Sequence, residues 1–412
     1  MNSDFTEFEF VVGGSSPNAS GEPPQPTGSP ILSEEAAFGR KNCANCTKPH
    51  SALWCEQCAE NDVGQLRVFY CTESCRAQHA AAHKDVCETR RRLSRAVLIF
   101  RELWTTFEEE TFATSVCFVN ERNDKVLLTL KDRDSREGAW TGNSFLRQFP
   151  GDVVPGNATD AVKKAVLFDN TCSEVVSMGI PFINILLKPI TKDIKEAEVC
   201  IKDPAIVVVL THGFNDSHLG HCVLRITLQT GETFAIDFTG AQYGWRSQLY
   251  TWNTYIEQRA KTVNGVTPLG TTSLQESAVY SLFAPNSIAK ATRAFRTNVV
   301  HDGLIRGLVT YFVQHQTSVK DLLSLPGSSF VHERAQLVNF VKDSIRRRVQ
   351  ELRDLGVGRP YFDRHFEPHY TTTAEEGLKY QGIWLSQEQY NANKGNLNAL
   401  KRIWNKRLGS SS

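Results

Sequence analysis

Seven of the chain's eleven cysteines fall between Cys43 and Cys87. With one histidine they read Cys43-x2-Cys46-x8-Cys55-x2-Cys58-x12-Cys71-x3-Cys75-x7-His83-x3-Cys87. Structural zinc takes four nitrogen or sulfur donors, so these eight complete two tetrahedral sites and leave no open position for substrate or water. The expected cofactor is two zinc ions that act as a scaffold rather than as a catalyst. Each Cys-x2-Cys pair suits a tight turn, whereas Cys71-x3-Cys75 and His83-x3-Cys87 have the spacing of one helical turn. A module this short has almost no core. Metal binding would supply its folding free energy, roughly 10 kcal/mol or more per site at neutral pH.

A second constellation lies in GHCVLRITLQTGETFAIDFTGAQYGW. The segment reads as a hairpin turning at Gln229-Thr230-Gly231, with glycine available for a left-handed position. This register pairs Leu228 with Glu232, Ile226 with Phe234, Leu224 with Ile236 and Cys222 with Phe238, all on one apolar face. The other face carries His221, Val223, Arg225, Ala235, Asp237 and Thr239. His221 is then diagonal to Asp237, close enough for a carboxylate to orient an imidazole. The hairpin lacks a nucleophile of its own. Cys172 is the candidate, because Asp169, Asn170 and Thr171 precede it as caps and CSEVVSM follows as a helix whose start lowers a thiol pKa. Cys117 and Cys200 sit in apolar or poorly defined settings. The plain alternative is a buried Cys172 and a structural His221–Asp237 hydrogen bond. His212 and His218 have no acidic or cysteine partner at ligand spacing that would make a further metal site with His221.

The elements around these groups follow from pattern. Residues 1–40 hold six acidic residues, one arginine and a Gly/Pro/Ser stretch, and read as a disordered acidic leader whose DFTEFEF start could be an interaction motif. Residues 88–112 read as a linking helix with Leu93, Val97, Phe100, Trp104 and Phe107 on one stripe. The arginines at its start, Arg90, Arg91, Arg92 and Arg95, read as a solvated face, with nuclear import or phosphate binding as the sharper alternative. Between 114 and 275, SVCFVNE, KVLLTLK, AIVVVLTH, HCVLRITL and TFAIDFT read as strands. TDAVKKAVLFDN and CSEVVSMGIPFINILLK read as helical, with a bend at Pro181. Residues 276–408 read as mainly helical.

Composition bounds the rest. With 412 residues, 41% hydrophobic, 22% charged and a net charge of +1, the chain reads as globular, with no general pull toward nucleic acid or membrane. No apolar run approaches the roughly 20 residues of a spanning helix. The acidic N-terminus lacks the features of a secretory signal, so the cysteines read as metal thiolates and the expected location is nucleus or cytoplasm.

The spacing at 43–87, with the words YCTESC and HKDVC, resembles the MYND-type zinc finger. The resemblance implies interleaved sites: Cys43, Cys46, Cys71 and Cys75 on one ion, Cys55, Cys58, His83 and Cys87 on the other. His79 and His50 lie outside that ligand set. Arg76 and Ala80 depart from the glutamine and tryptophan frequent in the family, and neither is a ligand. MYND fingers bind proteins, some of them through proline-rich peptides, and those of lysine methyltransferases accompany a SET domain whose signature is absent here. More weakly, Cys172, His221 and Asp237 resemble the triad of papain-like and transglutaminase-like folds. The expected fold is thus a small two-zinc MYND module followed by an α+β domain, with a helical C-terminal part. The expected function is a zinc-binding interaction or regulatory protein that recruits a protein partner. The alternative is a cysteine-dependent acyl-transfer enzyme using Cys172, His221 and Asp237.

Overall fold

The computed structural model describes residues 42–49, 51–59, 67–112, 116–122, 126–132, 149–150, 154, 156–210, 220–282 and 288–355. The acidic leader, His50, His212, His218 and the predicted helix LNALKRIWNKRLG lie outside these residues, as do the side chains of the first two predicted strands, Cys117 among them. What is described is a mixture of helices and sheets together with two Cys/His clusters.

At the front, β1 (Leu53–Trp54) pairs antiparallel with β2 (Phe69–Tyr70), Leu53 opposite Tyr70. Helix α1 (Glu73–Glu110) then starts at Thr72, whose hydroxyl accepts from the Cys75 N–H at 3.2 Å and satisfies one of the donors that a helix start leaves open. α1 runs unbroken from the cysteine-rich region through the segment predicted as a linking helix. Its predicted stripe, Leu93, Val97, Phe100, Trp104 and Phe107, is buried throughout. The arginines are not a uniformly solvated face. Arg90 pairs with Glu232 at the hairpin turn, Arg92 with Glu88, and fully buried Arg95 donates to the Leu323 and Leu325 carbonyls and lies over the Phe330 ring.

The body holds two further sheets. One has β3 (Val116–Arg122) antiparallel to β4 (Val126–Asp132), which in turn runs parallel to β6 (Ile206–Leu210). The other is a five-stranded antiparallel sheet. Its order is β10 (Ala260–Pro268), β5 (Thr191–Ile201), β7 (Gly220–Leu228), β8 (Thr233–Ile236) and β9 (Leu249–Thr251). The β7–β8 register pairs Leu224 with Ile236 and Ile226 with Phe234, as the alternation predicts. The turn between them closes with Gly231 at φ 86°, a left-handed position that glycine adopts without a Cβ clash.

Helices cover the sheet. α2 (Asp160–Leu167), α3 (Cys172–Met178) and α4 (Ile180–Leu187) precede it. The predicted bend in this region falls at Gly179 rather than at Pro181, which instead sits in the first turn of α4, where its missing N–H costs no hydrogen bond. α5 (Trp252–Arg259) lies between β9 and β10. After the sheet come α6 (Thr271–Leu282), α7 (Ile288–Asn298), α8 (Arg306–Gln314), α9 (Val319–Ser324) and α10 (Gly327–Asp354), with a π-helical stretch at Val299–Ile305 joining α7 to α8.

One large apolar core joins α1, α3, α4, one face of the five-stranded sheet and the C-terminal helices, from Leu93 to Leu352. The other face of the sheet carries a smaller aromatic cluster of Val199, Val223, Ala235, Tyr243, Trp245, Tyr250 and Tyr255. The two faces follow from strand alternation: Cys222, Leu224 and Ile226 belong to the large core, Val223 to the small one.

Candidate functional site

The eight predicted ligands gather in two groups. Cys43, Cys46, Cys71 and Cys75 form one, and Cys55, Cys58, His83 and Cys87 the other, the ligand atoms of each within 4.8 Å of one another. The first knuckle is a turn closed by Thr47 N–H to Cys43 O at 2.8 Å and tied to β2 by Ala44 N–H to Phe69 O at 2.9 Å. The second follows β1, with Cys58 N–H bonded to Cys55 O at 3.1 Å. α1 supplies Cys75, His83 and Cys87.

The donor geometry fits zinc. A tetrahedron with zinc–sulfur bonds of about 2.3 Å has sulfurs about 3.8 Å apart. Here Cys46 and Cys71 are 3.5 Å apart, Cys71 and Cys75 3.6 Å, Cys55 and Cys87 3.5 Å, and Cys58 and Cys87 3.3 Å. His83 Nε2 is 3.1 Å from Cys58 Sγ. Each set could hold one zinc ion, and four protein donors per set make that ion structural. The hydrogen bonding among these sulfurs drives the Cys55 thiol far down and that of Cys58 far up. His79 stays outside the set, bonded to Tyr70 Oη at 3.1 Å and stacked on His83.

A different cluster forms where α3 meets the start of β7. Cys172 is the first residue of α3, which packs on β7, the strand that carries His221. His221 Nε2 lies 2.9 Å from Asp237 Oδ1, and Tyr255 Oη donates to Asp237 Oδ2 at 3.0 Å. On the other edge of the imidazole, Nδ1 is 3.3 Å from the Gln242 amide, whose Oε1 accepts the Asn170 N–H at 3.3 Å. Tyr243 and Trp245 meet the ring edge-on. His221 and Asp237 are fully buried, whereas Cys172 keeps 8% of its surface exposed.

The electrostatics follow from this packing. Hydrogen bonding from Cys222 outweighs burial and, with His221, holds the Cys172 thiol well below its usual range. Burial alone would depress His221, but the adjacent Asp237 charge and its hydrogen bond overcome it and push the imidazole up to about 10. Burial and the same carboxylate keep Tyr255 protonated, as a donor should be. A thiolate–imidazolium pair oriented by a carboxylate is the arrangement that activates a cysteine for nucleophilic attack.

Neighbouring charges brace α3. Arg296 of α7 pairs with Glu108 of α1 and Glu174 of α3, both at 2.7 Å, while Trp104 Nε1 donates to Glu108 at 2.8 Å. Gly240 approaches from the other side: a Cβ there would stand 2.7 Å from Asp237 Oδ2 and 3.1 Å from Trp245.

Of the weighed cysteines, Cys200 lies apart on β5, its sulfur 3.5 Å from Asn264 Nδ2. Sequence reasoning missed Gln242 and Tyr255. Gln242 stands in the quoted hairpin segment, in a short 3-10 turn at Gly240–Tyr243, and no spacing rule marks it. Tyr255 arrives from α5 through tertiary packing alone. No family model, curated protein or solved structure matches this chain.

Proposed function

We propose that this chain is a cysteine-dependent acyl-transfer protein whose two-zinc front end is a MYND-type interaction module. The placement of Cys172 at the start of α3, against the strand that carries the His221–Asp237 pair, carries the first half of this reading. In the reaction, the Cys172 thiolate attacks an acyl carbonyl carbon, forming a thioester as the leaving group departs. His221, having taken the thiol's proton, gives it to that leaving group. In the second half His221 takes a proton from the acceptor, water or an amine, and the thioester is cleaved. Asp237 holds Nε2–H throughout and stabilises the imidazolium, while Tyr255 fixes the carboxylate. The order of these residues along the chain supports a papain-like or transglutaminase-like reading.

The second half rests on the closed coordination of the two Cys/His sets. Metals with four protein donors have no chemistry to perform, so the finger's role is recognition, and a protein segment is the partner its MYND-type spacing favours. Half-exposed Trp54, with Arg67 over its ring, offers an aromatic contact for such a segment.

The test uses p-nitrophenyl acetate with the intact zinc-loaded chain. A burst of one p-nitrophenolate per chain is expected, with acetyl found on Cys172 by peptide mapping and lost in His221→Ala. Acetyl spread evenly over Cys172 and Cys200, unaffected by His221→Ala, would sink the acyl-transfer reading.

A further inference from the structure

Asn264-Gly265 is the one Asn-Gly step in the sequence, and the fold sets it at an irregular point of a sheet edge. β10 is the outer strand of the five-stranded sheet. Its register on β5 slips there: Val263 lies opposite Val199 and Gly265 opposite Glu198, so Asn264 is an extra residue without a partner across the ladder. A bulge of this kind releases one residue from the regular pleat. Asn264 is exposed, and a Cβ at Gly265 would meet nothing within 4 Å, so no neighbour crowds the step. The Asn264 side chain is held at both ends. Its Oδ1 accepts from Thr262 Oγ1 at 3.0 Å, while Nδ2 donates to Glu198 Oε1 at 3.2 Å and lies 3.5 Å from Cys200 Sγ. A donor on the carbonyl oxygen polarises the carbonyl carbon and stabilises negative charge that develops there. Gly265, lacking a Cβ, lets its backbone nitrogen approach that carbon.

We propose that Asn264 is a self-modification site, which deamidates through Gly265 with Thr262 as oxyanion donor, and that the product loosens β10 from the sheet. The Gly265 nitrogen attacks Asn264 Cγ, and the Thr262 hydroxyl steadies the oxyanion on Oδ1. The bond from Cγ to Nδ2 then breaks. Ammonia leaves, carrying the proton that Gly265 gave up, and a cyclic imide remains. Water opens the imide at either carbonyl, leaving aspartate or isoaspartate. One water is consumed and one ammonia released, with no change of oxidation state. Neither Cys172 nor the zinc sets take part. The consequence is electrostatic. Glu198 faces a like charge where it had a donor, and like charges on paired strands weaken the pairing. On its other side the Glu198 carboxylate packs over Gly220, with no room for a Cβ there, which limits its retreat. Isoaspartate also adds a carbon to the β10 main chain and shifts the ladder beyond the bulge.

The intact zinc-loaded chain is incubated at neutral pH and sampled over time by peptide mass mapping. Asn264 should convert to a mixture of aspartate and isoaspartate, at a rate about tenfold or more above that of Asn253, an exposed asparagine followed by Thr254 in α5. Gly265→Ala, for which the structure has open space, should slow the conversion about tenfold by crowding the attack. Thr262→Val should slow it severalfold while leaving the peptide at Asn253 unchanged. Both the converted chain and Asn264→Asp should show faster hydrogen exchange of β10 amides, with the β7 amides unaltered. Conversion at Asn264 no faster than at Asn253 overturns the proposal and needs no variant to fold. A rate indifferent to Thr262→Val, or β10 exchange unchanged after conversion, overturns it as well.

Discussion

The Nε2 of His221 stands 2.9 Å from Oδ1 of Asp237, with Tyr255 securing the second carboxylate oxygen. This contact sets the charge of His221. Asp237 raises the imidazole to about 10, while Cys222 first and His221 second hold the Cys172 thiol well below its usual range. The ion pair thus holds between the two pKa values. It is lost below the Cys172 pKa, when the thiolate is protonated, and above about 10, when the imidazolium is deprotonated. Iodoacetamide labelling of Cys172 should therefore stay fast below the usual thiol range. In Asp237→Asn the inflection should move upward, and labelling at pH 6 should drop about tenfold for each unit that the thiol pKa lies above 6. An unchanged profile would separate Asp237 from thiol activation.

Elemental analysis should find two zinc ions per chain. Cys58→Ala removes a donor from the set that includes His83, so it should leave one ion and lower the protection of α1 amides around His83 in hydrogen exchange. Amides beyond Leu93 should keep their protection, because the large core holds them. A stoichiometry of one or none in the intact chain would contradict both closed sets.

Arg296 compensates two carboxylates at once, Glu108 and Glu174. Arg296→Met would leave buried Glu108 and partly buried Glu174 without their cation, and a loss of about 3–5 kcal/mol in unfolding free energy is expected. Urea denaturation measures it. Intact stability in the variant would mean that the carboxylates find another partner.

Glu108 gives stability a pH dependence of its own. Burial raises it to about 7 despite the opposing Arg296 charge, with Glu174 adding to the rise. A carboxyl raised in the folded state contributes most below its ordinary pKa near 4.5, and that contribution disappears as pH climbs through about 7. The shift corresponds to about 3 kcal/mol at most. Unfolding free energies of wild type and Glu108→Gln, compared at pH 5 and 8, should show the variant losing less on the alkaline side.

Gly240→Ala is expected to disturb the site without touching a reacting group. Its new methyl would press on the Asp237 carboxylate and Trp245. A destabilisation of about 1–3 kcal/mol from overpacking should accompany slower Cys172 labelling. Unaltered labelling would show that Asp237 can shift and still orient His221.

What could be read from the sequence was whatever a period or a spacing records. The stripe from Leu93 to Phe107, the β7–β8 register and the two Cys/His sets all depend on intervals within one segment. The strand β5 escaped notice because TKDIKEAEVCI is crowded with charge, although it is a central strand between β10 and β7. One of those charges, Glu196, is buried. It accepts the Gly270 and Thr272 N–H groups at the start of α6, a partnership visible only after folding. The same reason hid Tyr255 and Gln242, whose roles depend on contacts across elements. Arg95 likewise read as a surface charge until α9 and α10 supplied its carbonyls and ring.

The unbroken course of α1 has a consequence for whatever the zinc end grips. From Cys87 to Glu108 the helix advances about 32 Å, and every added residue would turn the far end by about 100°. The finger is thus mounted on a phase-locked rod rather than on a tether. Under the proposed recruitment, a captured partner would be offered to the body at one bearing and one distance, so a single-residue insertion near Arg91 should misaim it while leaving both grip and body intact.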